Sequence, residues 1–448
     1  MDVYNLPMSS SSTGGLALEM RAHARGFFDS ALDDASIAKA FVRHVECERG
    51  VLRIFDDLHH LTAYQRVFVV SIGKAAHSLV EALESRAGSR FEGIVASSVA
   101  SGSQARGFRY FLSGHPTPNE ESLRAAGAML KSLGALNAES LVIYLLSGGG
   151  SSMAEKPADD EIALDDIITT YRALVLSGAP IAEINAVRKH LSAIKGGRLA
   201  EAAYPARQVS LLISDVPDKT PDALASGPTM PDSTTTEDCY RIVAGHGMLE
   251  QFPASVRGLF ERQALEETPK PDHEAFVNAR WWTLLSNKTA LDAATTAARQ
   301  AGFSVEVDNS CDDWDYARAA DYLLGRLREL RSRSERACLI SGGEVTVKVT
   351  GGGSGGRNQQ FALACAEKIA GQNVTVLSAG TDGIDGNSPA AGAIVDGTTW
   401  DRAKGRGLDA AAALRQFDSY SFFHALGDDI VTGPTGNNLR DLRILLAY

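Results

Sequence analysis

A Ser/Gly loop in the middle of the chain has residue types and spacing that can bind phosphate. In LVIYLLSGGGSSM, residues 141–153, an apolar run of strand length ends in serine and three glycines. Consecutive glycines let the backbone turn sharply and direct several N–H groups at one point, which attracts an anion. A plain tight turn is the alternative for any single loop of this kind. The predicted nucleotide- or phosphate-binding residues here are Ser147, Gly148, Gly149, Gly150 and Ser151.

Similar loops follow other apolar runs in the chain. SIGK, SGGE and SAG come after residues 67–70, 337–340 and 374–377. Ligands of parallel sheets bind at the carboxyl ends of the strands, so this recurrence favours an enzyme over a set of plain turns. In SIGK, Lys74 is predicted to begin a helix, where an anion would balance its charge. Taken alone, a solvated helix end explains Lys74 better, because the full GxxxxGK[ST] consensus is missing.

A basic segment, NAVRKHLSAIKGGRLA, is a candidate for holding an anionic substrate. Arg188 and Lys195 are seven residues apart, which predicts a shared helical face, and Arg198 follows a Gly-Gly break. The whole chain carries a formal charge of -11, so such a cluster favours an anionic ligand nearby. A solvated basic face is the alternative. We assign the three basic residues to the substrate.

Acidic residues follow the next predicted strand, in SDVPDKTPDALASGPTMPD. Asp215 ends that strand, where a carboxylate can hold Mg²⁺ or take a hydroxyl proton. Asp218 and Asp222 can equally be turn or cap residues. Asp215 is therefore the predicted metal ligand and a predicted catalytic residue.

The glycine-rich stretch VTGGGSGGRNQQF supports two different chemistries. Gly351, Gly353 and Gly356 satisfy GxGxxG between a predicted strand and a helix, which supports a nicotinamide dehydrogenase. The preceding residues alternate in polarity, whereas a dinucleotide-binding strand is apolar throughout. Arg357 at the helix start is better suited to clamp a transferring phosphoryl group.

Two polar loops complete the candidate site. SAGTDGIDG contains Asp382 and Asp385 after a predicted strand, but the spacing is wrong for an EF-hand. TGPTGNNLRDLRI places Asn437 in a polar loop before the last strand. We assign Asp382 to the substrate and Asn437 to the nucleotide.

Alternating strand and helix patterns predict the elements that must position these residues. We expect two α/β domains: a Rossmann-like parallel-sheet domain at 16–255 and a smaller mixed-sheet domain at 275–448. The charged, proline-bearing stretch 251–274 separates them, and the site is expected in the cleft between them. Residues 1–15, with SSSSTGG, are expected to be disordered or loosely attached.

Composition limits the classes of function. The acidic balance argues against nucleic acid as a partner, and no apolar run reaches the roughly 20 residues of a membrane span. The five cysteines are scattered without a CxxC pair, which is typical of reduced thiols, and no signal peptide is visible. We expect a cytoplasmic protein, a monomer or a homodimer, that acts on small molecules.

Seven segments, taken in order, resemble the glycerate 2-kinase family with a MOFRL carboxyl-terminal domain, a family often labelled hydroxypyruvate reductase. They are SGHPTPNEES, LLSGGGSS, NAVRKHLSAIKGGRLA, SDVPD with SGPT, GGRNQQF, AGTDGIDG and TGPTGNNLRDLRI. The resemblance covers about residues 18–446. It implies phosphorylation of D-glycerate at the 2-hydroxyl, giving 2-phosphoglycerate, with ATP and Mg²⁺. By their positions in the motifs, Lys74 and Arg357 look like the active-site bases of that family.

The chain departs from the family pattern at several positions. Gln360 stands where the family usually has Glu, Asn387 stands where Pro is common, and Ser152 follows Ser151 where Ala is common. These changes bear on the exact substrate, so a kinase of a related sugar acid is one alternative. An NAD(P)H-dependent hydroxypyruvate reductase and a non-catalytic sensor are the others.

In the mechanism that we expect, the 148–151 loop and Lys74 hold the nucleotide phosphates or the incoming phosphoryl group. Arg357 neutralises charge on the same phosphoryl group as it moves. The basic cluster engages the carboxylate or phosphate of the substrate, and Asp215 binds Mg²⁺ or orients the 2-hydroxyl.

Overall fold

The computed structural model describes residues 10–217 and 220–448, with residues 10–14 described by their backbone alone. Its first helix, α1, spans Ser10–Asp34. The segment expected to be loosely attached is therefore helical from Ser10 onward, and its residues 1–9 lie outside the described part. Further along, α1 buries an apolar face that includes Met20, Phe27 and Phe28.

The chain forms two compact units. The parallel-sheet unit comprises residues 37–284, and the mixed-sheet unit comprises residues 285–448 together with the chain up to Ser36. This division differs from the predicted domains in two ways. Helix α1 packs in the mixed-sheet unit, because its apolar face joins the core of that unit. Residues 275–284 pack in the parallel-sheet unit.

The parallel-sheet unit contains nine of the described helices and nine strands. The helices are α2 (Ile37–His44), α3 (Ala76–Ala87), α4 (Glu120–Leu133), α5 (Gly150–Met153), α6 (Leu164–Leu176), α7 (Ile181–His190), α8 (Arg198–Ala203), α9 (Thr236–Gly245) and α10 (Ala254–Glu261). The strands are β1 (Val45–Glu48), β2 (Val51–Ile54), β3 (Asp57–His60), β4 (Arg66–Ile72), β5 (Glu92–Ser97), β6 (Phe108–Leu112), β7 (Ser140–Leu146), β8 (Arg207–Ile213) and β9 (Ala279–Leu285). Short 3₁₀ helices span Leu61–Ala63, Pro221–Ser226, Leu249–Gln251 and Glu274–Phe276.

Six of these strands form one sheet in the order β6-β5-β4-β7-β8-β9. The pairs from β6 to β8 are all parallel. Every residue of β7 is buried, as expected for a central strand covered on both faces. In register, Ile72 of β4 pairs with Leu146, and Leu146 pairs with Leu212 of β8. The loops after β4, β7 and β8 therefore leave the same edge of the sheet, where the candidate residues lie.

The mixed-sheet unit adds six strands and six helices to α1. The strands are β10 (Ser304–Val307), β11 (Ala337–Gly342), β12 (Val374–Gly380), β13 (Gly392–Asp396), β14 (Asp429–Ile430) and β15 (Asp441–Ala447). The helices are α11 (Asn287–Gln300), α12 (Tyr316–Arg331), α13 (Arg357–Lys368), α14 (Thr399–Gly405), α15 (Ala410–Gln416) and α16 (Ser419–Leu426).

The sheet of this unit has the order β10-β11-β15-β12-β13-β14. Strands β10 and β11 are parallel, and the other pairs are antiparallel. Apolar cores lie in two clusters, one containing α12, α13 and α16, the other α1 and α11. The predicted α/β class, with a parallel and a mixed sheet, is confirmed. One predicted strand is wrong: at residues 345–349 the chain forms a single bridge from Thr346 to Asp315.

Candidate functional site

The loop after β7 has a shape that glycine permits. Gly149 has φ 82° and precedes α5 directly. A Cβ on Gly150 would lie 2.7 Å from the Cβ of Ala225, and one on Gly148 would meet the carboxylate of Asp215. Larger residues would strain or block these positions. The loop therefore brings its backbone close to the ends of β4 and β8, as the Ser/Gly pattern predicts.

Ser147 fastens this loop to the end of β4. Its Oγ accepts a hydrogen bond from the N–H of Ala75 at 3.1 Å, and its own N–H donates to Ile72 O at 3.0 Å. The N–H of Lys74 donates to Gly148 O at 3.0 Å. Ser147 is buried, so its hydroxyl holds two loops together and does not face the cavity described below.

The side chain of Lys74 is exposed, and its positive charge acts on the imidazole of His115. Burial, and then the positive charge of Lys74, lower the pKa of His115. This shift favours the neutral form of the imidazole. Its Nδ1 lies 3.1 Å from the Oγ of Ser152, and a Cβ on Gly149 would be 3.2 Å from its Cε1. Sequence reasoning did not single out His115, although it lies in the family-like segment SGHPTPNEES.

A cavity of about 460 Å³ opens beside the loop, between α6, α7 and the residues after β6. Its lining includes His115, Gly149, Ser151, Tyr171 and Arg188. The guanidinium of Arg188 lies 4.9 Å from the ring centroid of Tyr171, and its buried Nε has no hydrogen-bond partner among the described residues. Burial lowers the pKa of Arg188. A half-buried arginine with an unused N–H is suited to an anionic ligand.

Lys195 and Arg198 are not brought to this cavity. The predicted common face is wrong, because α7 ends at His190 and the chain then turns through Gly196 and Gly197 with φ 57° and 88°. Lys195 is 1% exposed and is paired with the buried Glu155. Arg198 instead contacts the segment around Glu266, at 3.6 Å from its carboxylate.

Glu155 shows what Lys195 does. Its carboxylate accepts hydrogen bonds from Ser192 Oγ at 2.6 Å and from Tyr171 OH at 2.7 Å. Tyr171 is the residue on which Arg188 stacks. Lys195 therefore neutralises the acid that holds Tyr171 in place, and it supports the cavity wall from inside the protein.

Asp215 and Ser226 both lie against the glycine loop, residues 148–151. Asp215 follows β8, and its carboxylate lies against Gly148. The Oγ of Ser151 lies 2.9 Å from the Oγ of Ser226, in the Pro221–Ser226 turn. Asp218 is outside the described residues. Within 10–217 and 220–448, no three His, Cys, Asp or Glu side chains converge as a metal site. A Mg²⁺ ion here would rest on Asp215, phosphate oxygens and water, which is a common arrangement for this ion.

The mixed-sheet unit has a separate cavity of about 510 Å³, lined by the glycine-rich loop 351–356, Arg357, Asp382 and Asp385. Arg357 is the first residue of α13, as predicted. Its guanidinium is held by Asp441 at 2.6 and 3.0 Å and by Glu344 at 2.8 Å. Burial alone would lower the pKa of Arg357, but the hydrogen bonds and charge of Asp441 raise it.

Asp385 caps the same helix. Its carboxylate accepts hydrogen bonds from the N–H of Asn358 at 3.0 Å and the N–H of Gln359 at 2.8 Å. Complete burial raises its pKa to about 7, against these two hydrogen bonds. Gln360 is buried, and its amide has no hydrogen-bond partner among the described residues. The acid that sequence reasoning left unassigned is thus the one that organises the helix start.

Asn437 is not among the residues that line this cavity. Its Nδ2 donates to Ala35 O, after the end of α1, at 2.7 Å. Asp382 lines the cavity, and its Oδ1 accepts the N–H of Ile384 at 3.1 Å. The structure thus brings Arg357 and Asp382 together and leaves Asn437 outside that group. The expectation that Lys74 and Arg357 act on one phosphoryl group stays a prediction.

A parallel-sheet unit with Ser/Gly strand-end loops and a mixed-sheet unit with a glycine-rich loop define a two-part α/β class. Two family models match these parts: "Domain of unknown function (DUF4147)" at residues 23–261 and "MOFRL family" at residues 337–441. A D-glycerate 2-kinase of Thermotoga maritima is 38% identical, over 91% of this chain and 96% of its own. A glycerate 2-kinase of Pyrococcus horikoshii is 34% identical, over 85% and 87%.

Solved structures agree with the sequence matches. The crystal structure of a glycerate kinase from Thermotoga maritima superposes with a TM-score of 0.84 at 34% identity, over 96% of this chain and 100% of that one. The chain belongs to the glycerate 2-kinase family with a MOFRL domain, which confirms the resemblance seen in its motifs. Among the described residues, no helix is both long enough and apolar enough to cross a membrane.

Proposed function

We propose that the protein transfers the γ-phosphoryl group of ATP to the 2-hydroxyl of D-glycerate, giving 2-phosphoglycerate. The observation that carries this proposal is the glycine loop 148–151, which has Asp215 against one glycine and the cavity of Arg188 beside it. Phosphoryl transfer needs positioning and charge stabilisation more than covalent chemistry from the protein. Family membership with glycerate 2-kinases supports the acceptor.

The N–H groups of the glycine loop and the exposed ammonium of Lys74 would bind phosphate oxygens. The ammonium carries a full positive charge and the N–H groups carry partial positive charges. Both groups belong to loops that follow strands at the carboxyl edge of the parallel sheet. Fixed donors of this kind stabilise charge on a moving phosphoryl group because they need no reorganisation during the step. Lys74 and the loop are therefore the proposed phosphate-binding residues of the parallel-sheet unit.

Arg188 would bind the carboxylate of glycerate. Its guanidinium lines the cavity beside the loop, stacks on Tyr171 and keeps a buried N–H that has no acceptor among the described residues. A carboxylate would complete that donor set with a charge-assisted hydrogen bond. We assign Lys195 and Arg198 to support of this wall and of the neighbouring segment, because neither reaches the cavity.

Two groups are placed to accept the 2-hydroxyl proton. Asp215 borders Gly148, and the neutral imidazole of His115 lies over Gly149. We propose Asp215 as the residue that would hold Mg²⁺, which supplies charge neutralisation between phosphate oxygens when it is bound. His115 is then the proposed base, since a neutral imidazole can take a proton near pH 7.

A hydroxypyruvate reductase is less well supported. In a dinucleotide-binding fold, the helix after GxGxxG offers its first N–H groups to the pyrophosphate. In this chain, the carboxylate of Asp385 already accepts the N–H groups of Asn358 and Gln359 at the start of that helix. Those two N–H groups are therefore already engaged and are not offered to a pyrophosphate. The glycine-rich loop therefore supports a role other than nicotinamide binding.

A coupled assay tests the reaction class. The protein is given D-glycerate with ATP and Mg²⁺, and in parallel hydroxypyruvate with a reduced nicotinamide cofactor. We expect ADP formation that depends on glycerate, with 2-phosphoglycerate identified by phosphorus NMR. Formation of 3-phosphoglycerate, or cofactor oxidation without ATP use, would contradict the proposal.

We further infer a cytoplasmic location, because the five cysteines are all free thiols in the described structure.

A further inference from the structure

Lys189 lies on the last turn of α7, next to Arg188, and its side chain is only 5% exposed. A buried ammonium group is stable where carboxylates replace the water that it loses. Its Nζ lies 2.8 Å from Asp222 Oδ2 and 3.2 Å from Asp232 Oδ1. Lys189 therefore ties two separate loop segments to the helix that carries Arg188.

Asp232 forms the inner arm of this bridge. It is fully buried and accepts hydrogen bonds from the Oγ1 of Thr234 at 2.9 Å and the Oγ1 of Thr268 at 3.0 Å. These donors and the lysine satisfy both carboxylate oxygens. The inner arm is thus an anchor, and it contacts none of the residues that line the cavity beside Arg188.

Asp222 forms the outer arm, and its segment is strained. It lies in the Pro221–Ser226 turn, where Ala225 has φ 50° and Ser226 has φ 60°. Residues with a Cβ adopt such angles at a cost, so the surroundings must hold them there. The ion pair to Lys189 is one contact that holds this turn against α7.

The carboxyl-terminal end of the same turn contacts the glycine loop 148–151. The Oγ of Ser226 lies 2.9 Å from the Oγ of Ser151, and Ala225 packs against Gly150. The N–H of Gly196 donates to Ser226 O at 3.0 Å. A shift of the turn would therefore move the hydroxyl that fixes Ser151.

We propose that Lys189 is a positioning residue of the glycine loop 148–151. Through its ion pair with Asp222, Lys189 keeps Ser226 in contact with Ser151. This inference rests on the proposed function for its effect on turnover, but its effect on the loop itself can be measured in the ligand-free protein. Lys189 does not line the cavity beside Arg188. The ion pair with Asp222 positions the loop, and the ion pair with Asp232 stabilises the fold.

Two amide variants separate the arms. Asp222→Asn weakens the outer arm at a carboxylate that is 37% exposed, and Asp232→Asn weakens the buried inner arm as the matched control. For Asp222→Asn, we expect kcat to fall by about 10-fold to 100-fold with KM for glycerate nearly unchanged, because small displacements of catalytic groups have effects of this size. For Asp232→Asn, we expect a lower Tm and a kcat within about twofold of the wild type per folded molecule.

Hydrogen exchange measures the loop directly. In ligand-free Asp222→Asn, the amides of residues 148–153 should exchange faster than in the wild type, and in Asp232→Asn they should not. Asp222→Glu, which restores a carboxylate, should recover part of the protection and of kcat. This readout remains decisive if the wild type proves not to phosphorylate glycerate, so failure of the proposed function and failure of this inference are distinguishable.

A double-mutant cycle tests whether Asp222 acts through Ser226. Ser226→Ala removes the contact with Ser151, so adding Asp222→Asn to it should lower kcat by less than about twofold further. Independent, multiplicative losses would overturn the inference. So would unchanged exchange at 148–153 in Asp222→Asn, or an equal loss of kcat in Asp232→Asn.

Discussion

Arg357 and Asp441 form a two-pronged ion pair, with the guanidinium Nε and Nη2 at 2.6 and 3.0 Å from the two carboxylate oxygens. Asp441 is 1% exposed, whereas the arginine also lines the cavity beside the glycine-rich loop. The acid therefore aims the guanidinium and fixes its plane. An arginine oriented in this way is prepared to meet phosphate oxygens with its remaining N–H groups.

Arg357→Ala should lower kcat by about 10³-fold, the lower end of what an arginine contributes to phosphoryl transfer. Arg357→Lys should recover little of this loss, since an ammonium cannot reproduce the planar fork. Steady-state kinetics, with circular dichroism to confirm folding, measures both. Arg415→Ala, at another arginine of the same unit outside this cavity, is the control. Near wild-type turnover in Arg357→Ala would remove this arginine from the mechanism.

Lys74→Ala should also lower kcat by orders of magnitude, because the ammonium is proposed to bind phosphate. The exposed side chain carries little packing energy, so Tm should stay within a few degrees. Lys131→Ala, at an exposed lysine in the last turn of α4, should change neither quantity. A fall in Tm of many degrees that accompanies the loss of activity would indicate a structural role for Lys74.

Arg188→Ala should raise KM for glycerate more than KM for ATP. The guanidinium lines the cavity beside the loop, and its loss removes the proposed partner of the substrate carboxylate. Arg198→Ala is the matched control from the same basic segment, because Arg198 contacts Glu266 instead. Equal effects of the two variants on KM would contradict the assignment of Arg188.

Asp385 should make the protein less stable as pH rises. Its pKa is raised to about 7 from an ordinary 3.8, so the folded state holds a proton that the unfolded state has lost. The stability from this group is present in full below pH 3.8 and is lost as pH rises to about 7. The difference is at most about 4 kcal/mol, at 1.36 kcal/mol per pKa unit.

Urea unfolding of the wild type and Asp385→Asn at pH 5, 6, 7 and 8 measures this effect. An amide does not titrate, so the variant should lose less stability than the wild type between pH 5 and 8. Parallel pH curves for the two proteins would show that Asp385 is ionised throughout this range.

His59 should act in the opposite direction. Burial, and then the charge of Arg207, lower its pKa to about 4 from 6.5. Its two ring nitrogens have no hydrogen-bond partners among the described residues. Stability from this group is present above pH 6.5 and is lost as pH falls to about 4, by about 3 kcal/mol in total.

His59→Leu should therefore flatten the loss of stability of the protein between pH 6.5 and 4.5. The adjacent exposed His60, changed to Leu in the same strand, is the control and should leave that pH dependence unaltered. Calorimetric Tm values across this range measure both variants. An unchanged slope in His59→Leu would mean that His59 keeps its ordinary titration in the folded protein.

Local pattern was enough to predict much of this protein. Apolar runs followed by Ser/Gly loops predicted strands that end in ligand-binding turns, and Lys74, Ser147 and Asp215 do follow β4, β7 and β8. The reason is physical: strand burial and glycine turns depend on a few neighbouring residues, which the sequence displays directly. The motifs also predicted the family.

Tertiary structure decided which charged residues remain available. Lys195 is neutralised by Glu155, forty positions away, whereas Arg357 is oriented by Asp441, eighty-four positions away, and still lines a cavity. Spacing along the chain cannot display such pairs, because they depend on which strand ends and turns meet after folding. Lys189 illustrates the same limit, since a basic residue in a basic segment proves to be buried between two acids. The sequence shows which residues are charged. Tertiary packing determines which partners they contact, and therefore which roles they have.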